Sequence, residues 1–199
     1  MSAALALVLI GFSVSGSATT ISLIPSEMNI NQDGSVLVDV VVSGLGYDSA
    51  PSLGVFDLDV LYDPGILSIT NVEFGNQLDI FGLGSYQSVS EPSAGNLNLF
   101  ELSYDFAEDL DLYQLDTFSL AALTFSSVAP GFSDITLGIN SFGDSNGDPL
   151  VVDSLNSASI NVSPVPLPGT FGLFVLGLGG LLFSRLYQRR KCTSALELG

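Results

Sequence analysis

The sequence predicts an all-β domain, an antiparallel jelly-roll-like β-sandwich, with a C-terminal transmembrane helix behind it. Three observations lead there. Short stretches alternate apolar and polar residues with a period of two, the strand signature, and none carries the 3.6-residue period of an amphipathic helix. Clusters of Pro, Gly, Asn and Asp separate these stretches, as turns require. All 4 positive charges, Arg185, Arg189, Arg190 and Lys191, sit together directly behind the mostly apolar run from Val165 to Ser184.

Residues 1–18 read as a removable secretory signal. Leu5, Leu7, Val8, Leu9, Ile10 and Phe12 form its apolar segment, and Ser15, Gly16, Ser17 and Ala18 are the small residues a signal peptidase selects. No Lys or Arg precedes the apolar segment, so a retained anchor or a buried strand is the alternative, as is a true start upstream of Met1.

The strands then follow in order. Val36, Val38, Val40 and Val42 alternate with Leu37, Asp39 and Val41, and Ser43-Gly44-Leu45-Gly46 ends that run. Phe56, Leu58, Val60 and Tyr62 alternate with Asp57, Asp59 and Leu61, a half-buried strand stopped by Asp63-Pro64-Gly65. A short strand spans Leu67 to Phe74. Gly82 to Gly95, rich in Gly, Ser and Pro, reads as a loop. Leu97 and Leu99 occupy one face, then Phe100, Leu102 and Tyr104 the other. That phase switch implies a bulge or a strand buried on both sides.

Glu108, Asp109 and Asp111 read as an acidic loop, with at most one helical turn at Leu110 to Leu115. Leu120 to Phe125 resumes as a strand, Pro130-Gly131 turns, and Ile135, Leu137 and Ile139 alternate again. Asp144 to Pro149 is a turn between that strand and short ones near Leu150 to Val152 and Ala158 to Val162. About seven to nine short strands in one domain favour an antiparallel sandwich or barrel.

Composition narrows the function. The net charge is −17, and of the 21 carboxylates only Glu197 lies beyond Ser184. Nucleic acid and anionic membrane surfaces would be repelled. There is no His, and no Lys or Cys stands before the tail, so the usual groups that activate a nucleophile are missing and the domain reads as non-enzymatic. Asp57 and Asp59 share one strand face roughly 6.6 Å apart by strand rise, a separation open to a glycosidase pair but ordinary for surface decoration.

Asp144, Asn146 and Asp148 offer oxygen ligands at alternate positions, as calcium loops do, although Gly147 falls in the fourth place rather than the sixth. Asn-Gly between two Asp residues is also what a hairpin turn needs. Bound calcium is the one cofactor the sequence raises. The only cysteine, Cys192, belongs to the residue 192–199 tail, where acylation or no role at all are open; the domain itself has no disulfide.

Two resemblances follow from these residues. Val38 to Leu45, Gly54 to Pro64, Leu123-Thr124-Phe125 and the Asp144 to Asp148 turn resemble cohesin-like domains across residues 21–162. That implies a nine-stranded jelly-roll sandwich and binding of a protein such as a dockerin. Val165-Pro166-Leu167-Pro168-Gly169-Thr170, the Gly-rich apolar run after it and the basic cluster resemble the PEP-CTERM sorting signal over residues 165–191, with Leu167 where the family carries Glu.

The second resemblance implies that an exosortase-type transpeptidase reads Pro166, Leu167 and Pro168. A membrane helix of about residues 169–187 would hold them at the membrane, and Arg185, Arg189, Arg190 and Lys191 would set the topology with residues 192–199 in the cytoplasm. The uncharged part, Gly169 to Ser184, spans roughly 24 Å, short against a hydrocarbon core of about 30 Å.

The expectation is therefore an exported protein, membrane-anchored or sorted to the surface or matrix. It would be non-catalytic and act through protein binding or adhesion. A carbohydrate-binding module is the alternative, weakened by the absence of Trp, with Tyr47, Tyr86 and Tyr113 expected in loops.

Overall fold

The computed structural model describes residues 18–165, together with Phe174 and Leu176. The chain divides into two compact units, Met1–Pro164 and Val165–Gly199. Among the described residues the first unit holds eleven strands and one short helix.

In chain order the elements are β1 (Thr20–Pro25), β2 (Asn29–Asn31), β3 (Ser35–Ser43), β4 (Leu53–Leu61), β5 (Leu67–Phe74), β6 (Ser85–Ser93) and β7 (Asn96–Ser103). They continue as α1 (Ala107–Tyr113), β8 (Thr117–Ser127), β9 (Gly131–Asp144), β10 (Ser154–Asn156) and β11 (Ala158–Ser163). They form a five-stranded sheet, β10-β1-β3-β8-β5, and a six-stranded sheet, β2-β11-β9-β4-β7-β6.

The period-two pattern does what strand geometry demands. Val36, Val38, Val40 and Val42 of β3 and Phe56, Leu58 and Val60 of β4 are all buried, and the residues between them face out. Leu97 and Leu99 of β7, Leu123 and Phe125 of β8, and Ile160 and Val162 of β11 complete the shared core. Tyr62 closes it edge-on to Phe125, the ring centroids 5.1 Å apart. Each such side chain contributes about 1.5–3 kcal/mol by leaving water.

The sheets are mixed rather than purely antiparallel. β1 pairs with β10 and β11 with β2 in parallel, while the remaining pairs are antiparallel. The cause is that both ends of the domain make the same crossing. β1 to β2 passes from the five-stranded sheet to the six-stranded one, and β10 to β11 does the same alongside it. Asn161 N–H to Met28 O (2.8 Å) and Asp153 N–H to Thr19 O (2.8 Å) stitch the two crossings together.

Four local expectations are corrected. The Gly82 to Gly95 stretch is not a loop throughout, because β6 runs through it. β6 has little apolar content and exists by pairing with β7; its edge position tolerates Pro92, and its register shifts between Ser90 and Ser93. β7 carries no bulge: its pairing with β4 is continuous, and its inward row after Leu97 and Leu99 is completed by Glu101. Phe100 and Leu102 belong to the outward row.

The third correction concerns Glu108, Asp109 and Asp111, which lie on α1 rather than in a loop. Glu108 and Asp109 occupy its first turn, where negative charge suits the helix dipole. Finally, Leu150 to Val152 forms no strand; Leu150 N–H bonds Phe142 O (2.9 Å) beside a single Gly143–Pro149 bridge, and the strand is β10.

The signal expected at residues 1–18, apart from Ala18, lies outside the described residues. So does the membrane helix expected at about 169–187, apart from Phe174 and Leu176, which are helical and exposed. No helix among the described residues is long and apolar enough to cross a membrane.

Candidate functional site

The outward face of β6, β7, β4 and β9 carries Tyr86, Phe100, Leu102, Asp57 and Asp59. Strand register lays it out in rows. Tyr86, Leu102, Val55 and Gly143 form the first row; Ser88, Phe100, Asp57 and Ser141 the second; Ser90, Asn98, Asp59 and Gly138 the third. Asn96, Leu61 and Thr136 follow.

Apolar residues therefore gather at one end. Tyr86 and Phe100 stack edge-on at 5.9 Å, and Leu102 beside them is 40% exposed. A groove of about 340 Å³ adjoins the first row, lined by Val55, Ile139 and Phe142 on the strands and by Pro149 and Leu150 beyond them. The β9 bulge makes part of this groove: opposite the Asp57–Leu58 step one extra residue is accommodated, and Ile139 is exposed there although its ladder partner Leu58 is buried. Gly143 keeps the packing close beside it: a Cβ there would lie 2.9 Å from Val55 Cγ1, and that side chain would have to move.

Asp57 and Asp59 lie in the middle of the face, as alternation predicts. One amide joins them: Asn98 Nδ2 donates to Asp57 Oδ1 (2.6 Å) and to Asp59 Oδ1 (3.0 Å), and Asn140 Nδ2 also donates to Asp57 Oδ1 (3.2 Å). The pair is thus held as an acceptor platform by neutral amides, in a shallow face with no basic side chain beside it among the described residues. That arrangement suits recognition of hydrogen-bond donors or cationic groups.

Asp144, Asn146 and Asp148 form a closed turn. Asp144 Oδ1 accepts from the Asn146 (2.9 Å) and Asp148 (2.8 Å) amides, and Asp144 N–H bonds Asp148 O (2.8 Å). Gly147 takes φ +87°, the conformation Gly permits. Among the described residues no three His, Cys, Asp or Glu side chains converge as a metal cluster.

Tyr86 lies on β6 and Tyr113 ends α1, stacked on Phe81 at 5.3 Å; Tyr47 alone of the three sits in a loop. Pro166, Leu167, Pro168, Arg185, Arg189, Arg190, Lys191 and Cys192 lie outside the described residues.

Six polar residues are buried among the described residues, and the three with carboxylate or amide side chains, Gln114, Glu101 and Asp105, escaped the sequence reading. Gln114, 3% exposed, caps α1 and locks it to β4: its Oε1 accepts from Leu53 N–H (2.6 Å), and its Nε2 donates to Leu53 O (2.9 Å) and Gln77 O (2.9 Å). Glu101, 1% exposed, accepts from Ser85 Oγ (2.6 Å) and Gln87 Nε2 (2.8 Å) through Oε1, while Oε2 has no partner. Burial raises its pKa, with Asp79 adding to the rise and the Ser85 and Gln87 bonds opposing it.

Asp105 accepts from Ile80 N–H (2.7 Å) and Phe81 N–H (3.2 Å) through Oδ2, with Oδ1 buried and unpartnered. Glu101 had a signal, since it continues the inward phase of Leu97 and Leu99. Asp105 and Gln114 had none in the local pattern.

No family model matches the chain, and no curated protein matches it. Among solved structures it is similar to the sixth cohesin of scaffoldin B from Acetivibrio cellulolyticus, solved in complex with a dockerin. That match has 20% identity and a TM-score of 0.58, over 74% of this chain and 100% of that one. A type II cohesin domain from the cellulosome of the same organism matches at 17% identity and TM-score 0.58, over 72% and 95%. A non-cellulosomal cohesin from the hyperthermophilic archaeon Archaeoglobus fulgidus matches at 16% identity and TM-score 0.56, over 74% and 92%. The domain folds as a cohesin-like β-sandwich of two mixed sheets.

Proposed function

We propose that this is an exported, non-catalytic protein-binding domain that engages its partner through the outward face of β6, β7, β4 and β9. The observation that carries the reading is the composition of that face. A Tyr86–Phe100–Leu102 apolar end adjoins an Asp57–Asp59 acceptor platform, a pairing of apolar anchor and oriented polar groups that protein interfaces use. The dockerin complex of the Acetivibrio cohesin supports a protein ligand, and dockerin modules are the first partners to try.

A photo-crosslinker placed at position 86 is expected to capture a defined protein from the native envelope fraction. The same group at position 124, on the other sheet, is expected to capture none. Equal capture from both positions would overturn the assignment of the face. Glycan-array binding lost on Tyr86→Ala, without any protein adduct, would favour the carbohydrate-binding alternative, which the exposed Tyr86 and Tyr113 rings support.

Residues 165–191 act, in this proposal, as a sorting signal. The apolar run reaches the membrane, the basic cluster behind it stays in the cytoplasm, and an exosortase-type enzyme cuts near Pro166, Leu167 and Pro168. The sandwich is then outside, and processing releases it to the surface or matrix. Mass spectrometry of the mature C-terminus tests this: a chain still ending at Gly199 on the cell surface excludes the processing step.

A further inference from the structure

We propose that the cavity where the end of β7, α1 and the Asp144–Gly147 turn meet binds a hard divalent cation of the calcium class. The cavity holds about 180 Å³ and is lined by Asp105, Asp144, Ser145 and Asn146 among others. Asp105 is 8% exposed, and its Oδ1 is buried without a hydrogen-bond partner.

A carboxylate in that position normally meets an Arg, Lys or His. Here no such residue exists before Arg185, so no side chain of the sandwich can neutralise it. The Ile80 and Phe81 amides serve only Oδ2. The other oxygen of this buried carboxylate is left without a donor, an unfavourable state that a bound cation relieves.

The remaining donors agree in kind. Asp144 commits Oδ1 to the amides of its own turn, which fixes the turn and leaves Oδ2 outside those two bonds. Ser145, whose Oγ donates its proton to Asp111 Oδ1 (3.3 Å), and Asn146 add a hydroxyl and an amide oxygen. Gly54 lets the turn come this close, since a Cβ on it would lie 2.5 Å from Asp144 O.

Every side-chain donor is oxygen, and neither sulfur nor imidazole is available, which selects a hard ion over zinc or copper. Two carboxylates are few for calcium, so backbone oxygens and water complete the shell. Affinity then falls in the range of about 10⁻⁴–10⁻³ M that extracellular modules show. The site differs from a self-contained Asp144–Asn146–Asp148 loop in needing Asp105, which is 39 residues away in sequence.

The test uses the full-length protein, stripped with chelator and titrated with calcium at constant ionic strength. About 10 mM calcium is expected to raise Tm by about 3–10 °C, with magnesium much less effective. Asp105→Asn keeps the acceptor for Ile80 and Phe81 and removes the uncompensated charge. It is expected to raise Tm in chelator and to abolish the calcium response. Asp144→Asn is expected to weaken the response at least tenfold in calcium concentration, and Asp148→Asn to leave it intact. No calcium-dependent shift in the wild type, an undiminished shift in Asp105→Asn, or a response lost only in Asp148→Asn would each overturn the proposal.

Discussion

The five-stranded sheet turns Ser22, Asp39, Ser119, Thr124, Ser126 and Asn71 outward and carries no aromatic side chain on that face, whereas the six-stranded sheet turns out Tyr86, Phe100, Leu102, Asp57 and Asp59. Inside, the two sheets are alike, each presenting Leu, Val, Ile and Phe to one core. The contrast separates two demands on the sequence. Glu101 of β7 and Ser133 of β9 apart, the inward positions of the strands serve stability and are interchangeable in kind; the outward positions are free of that duty, and only one sheet uses them for an ordered arrangement of rings and carboxylates.

The largest effect tests the shared interior. Leu58→Ala in the six-stranded sheet and Leu123→Ala in the five-stranded sheet are each expected to cost about 3 kcal/mol in denaturant unfolding, since both side chains are fully buried. A difference of more than about 2 kcal/mol between them would break the claim that the interior does not distinguish the sheets.

Gln114→Ala comes next. It strips partners from Leu53 N–H, Leu53 O and Gln77 O, at about 2 kcal/mol, and only on the six-stranded side. Hydrogen exchange should accelerate in α1 and at Leu53 while β1 and β3 keep their protection; uniform acceleration would contradict a one-sided lock.

A binding prediction sharpens the exterior. Leu102→Asp should lower the yield of the position-86 adduct about tenfold, equivalent to about 1.4 kcal/mol, with Tm nearly unchanged. Thr124→Asp on the opposite face should leave both the adduct yield and Tm nearly unchanged.

The smallest effect concerns pH. Glu101 has its pKa raised in the folded state, so the native chain holds that proton more tightly than the unfolded chain does. Its contribution to stability is therefore full below the ordinary carboxylate value and is lost as pH rises through the raised one. Glu101→Gln should remove that part of the slope and leave the protein more stable than the wild type at neutral pH, the difference shrinking as pH falls. A variant whose stability curve runs parallel to the wild type would show that Glu101 does not titrate as described.

Much of this was legible in the residues. β3, β4, β9 and β11 announce themselves because Val, Ile, Leu and Phe fall at every second position, and that alternation also put Asp57 and Asp59 on an outward face. β6 did not, since Ser85 to Ser93 holds few apolar residues and becomes a strand only through β7's hydrogen bonds. The parallel pairing of the chain ends was equally hidden, because Thr20 meets Ser154 across a separation no local pattern spans. Asp105 could not be singled out, since an isolated Asp beside Tyr104 and Phe106 looks like any turn residue. What makes it unusual is burial in a domain without cations, and burial is a property of the fold.

The stitching of the two chain ends has one more consequence. Thr19 N–H donates to Asp153 Oδ2 at 3.0 Å, and Thr19 is nearly buried. If residues 1–18 are removed as the export proposed above requires, that amide would become an α-ammonium seated on the Asp153 carboxylate, in a sandwich that has no Lys, Arg or His. Maturation would thus replace a neutral bond with an ion pair at the seam that fastens β1 to β10. Asp153→Asn should then lower the Tm of the trimmed protein more than that of the untrimmed one.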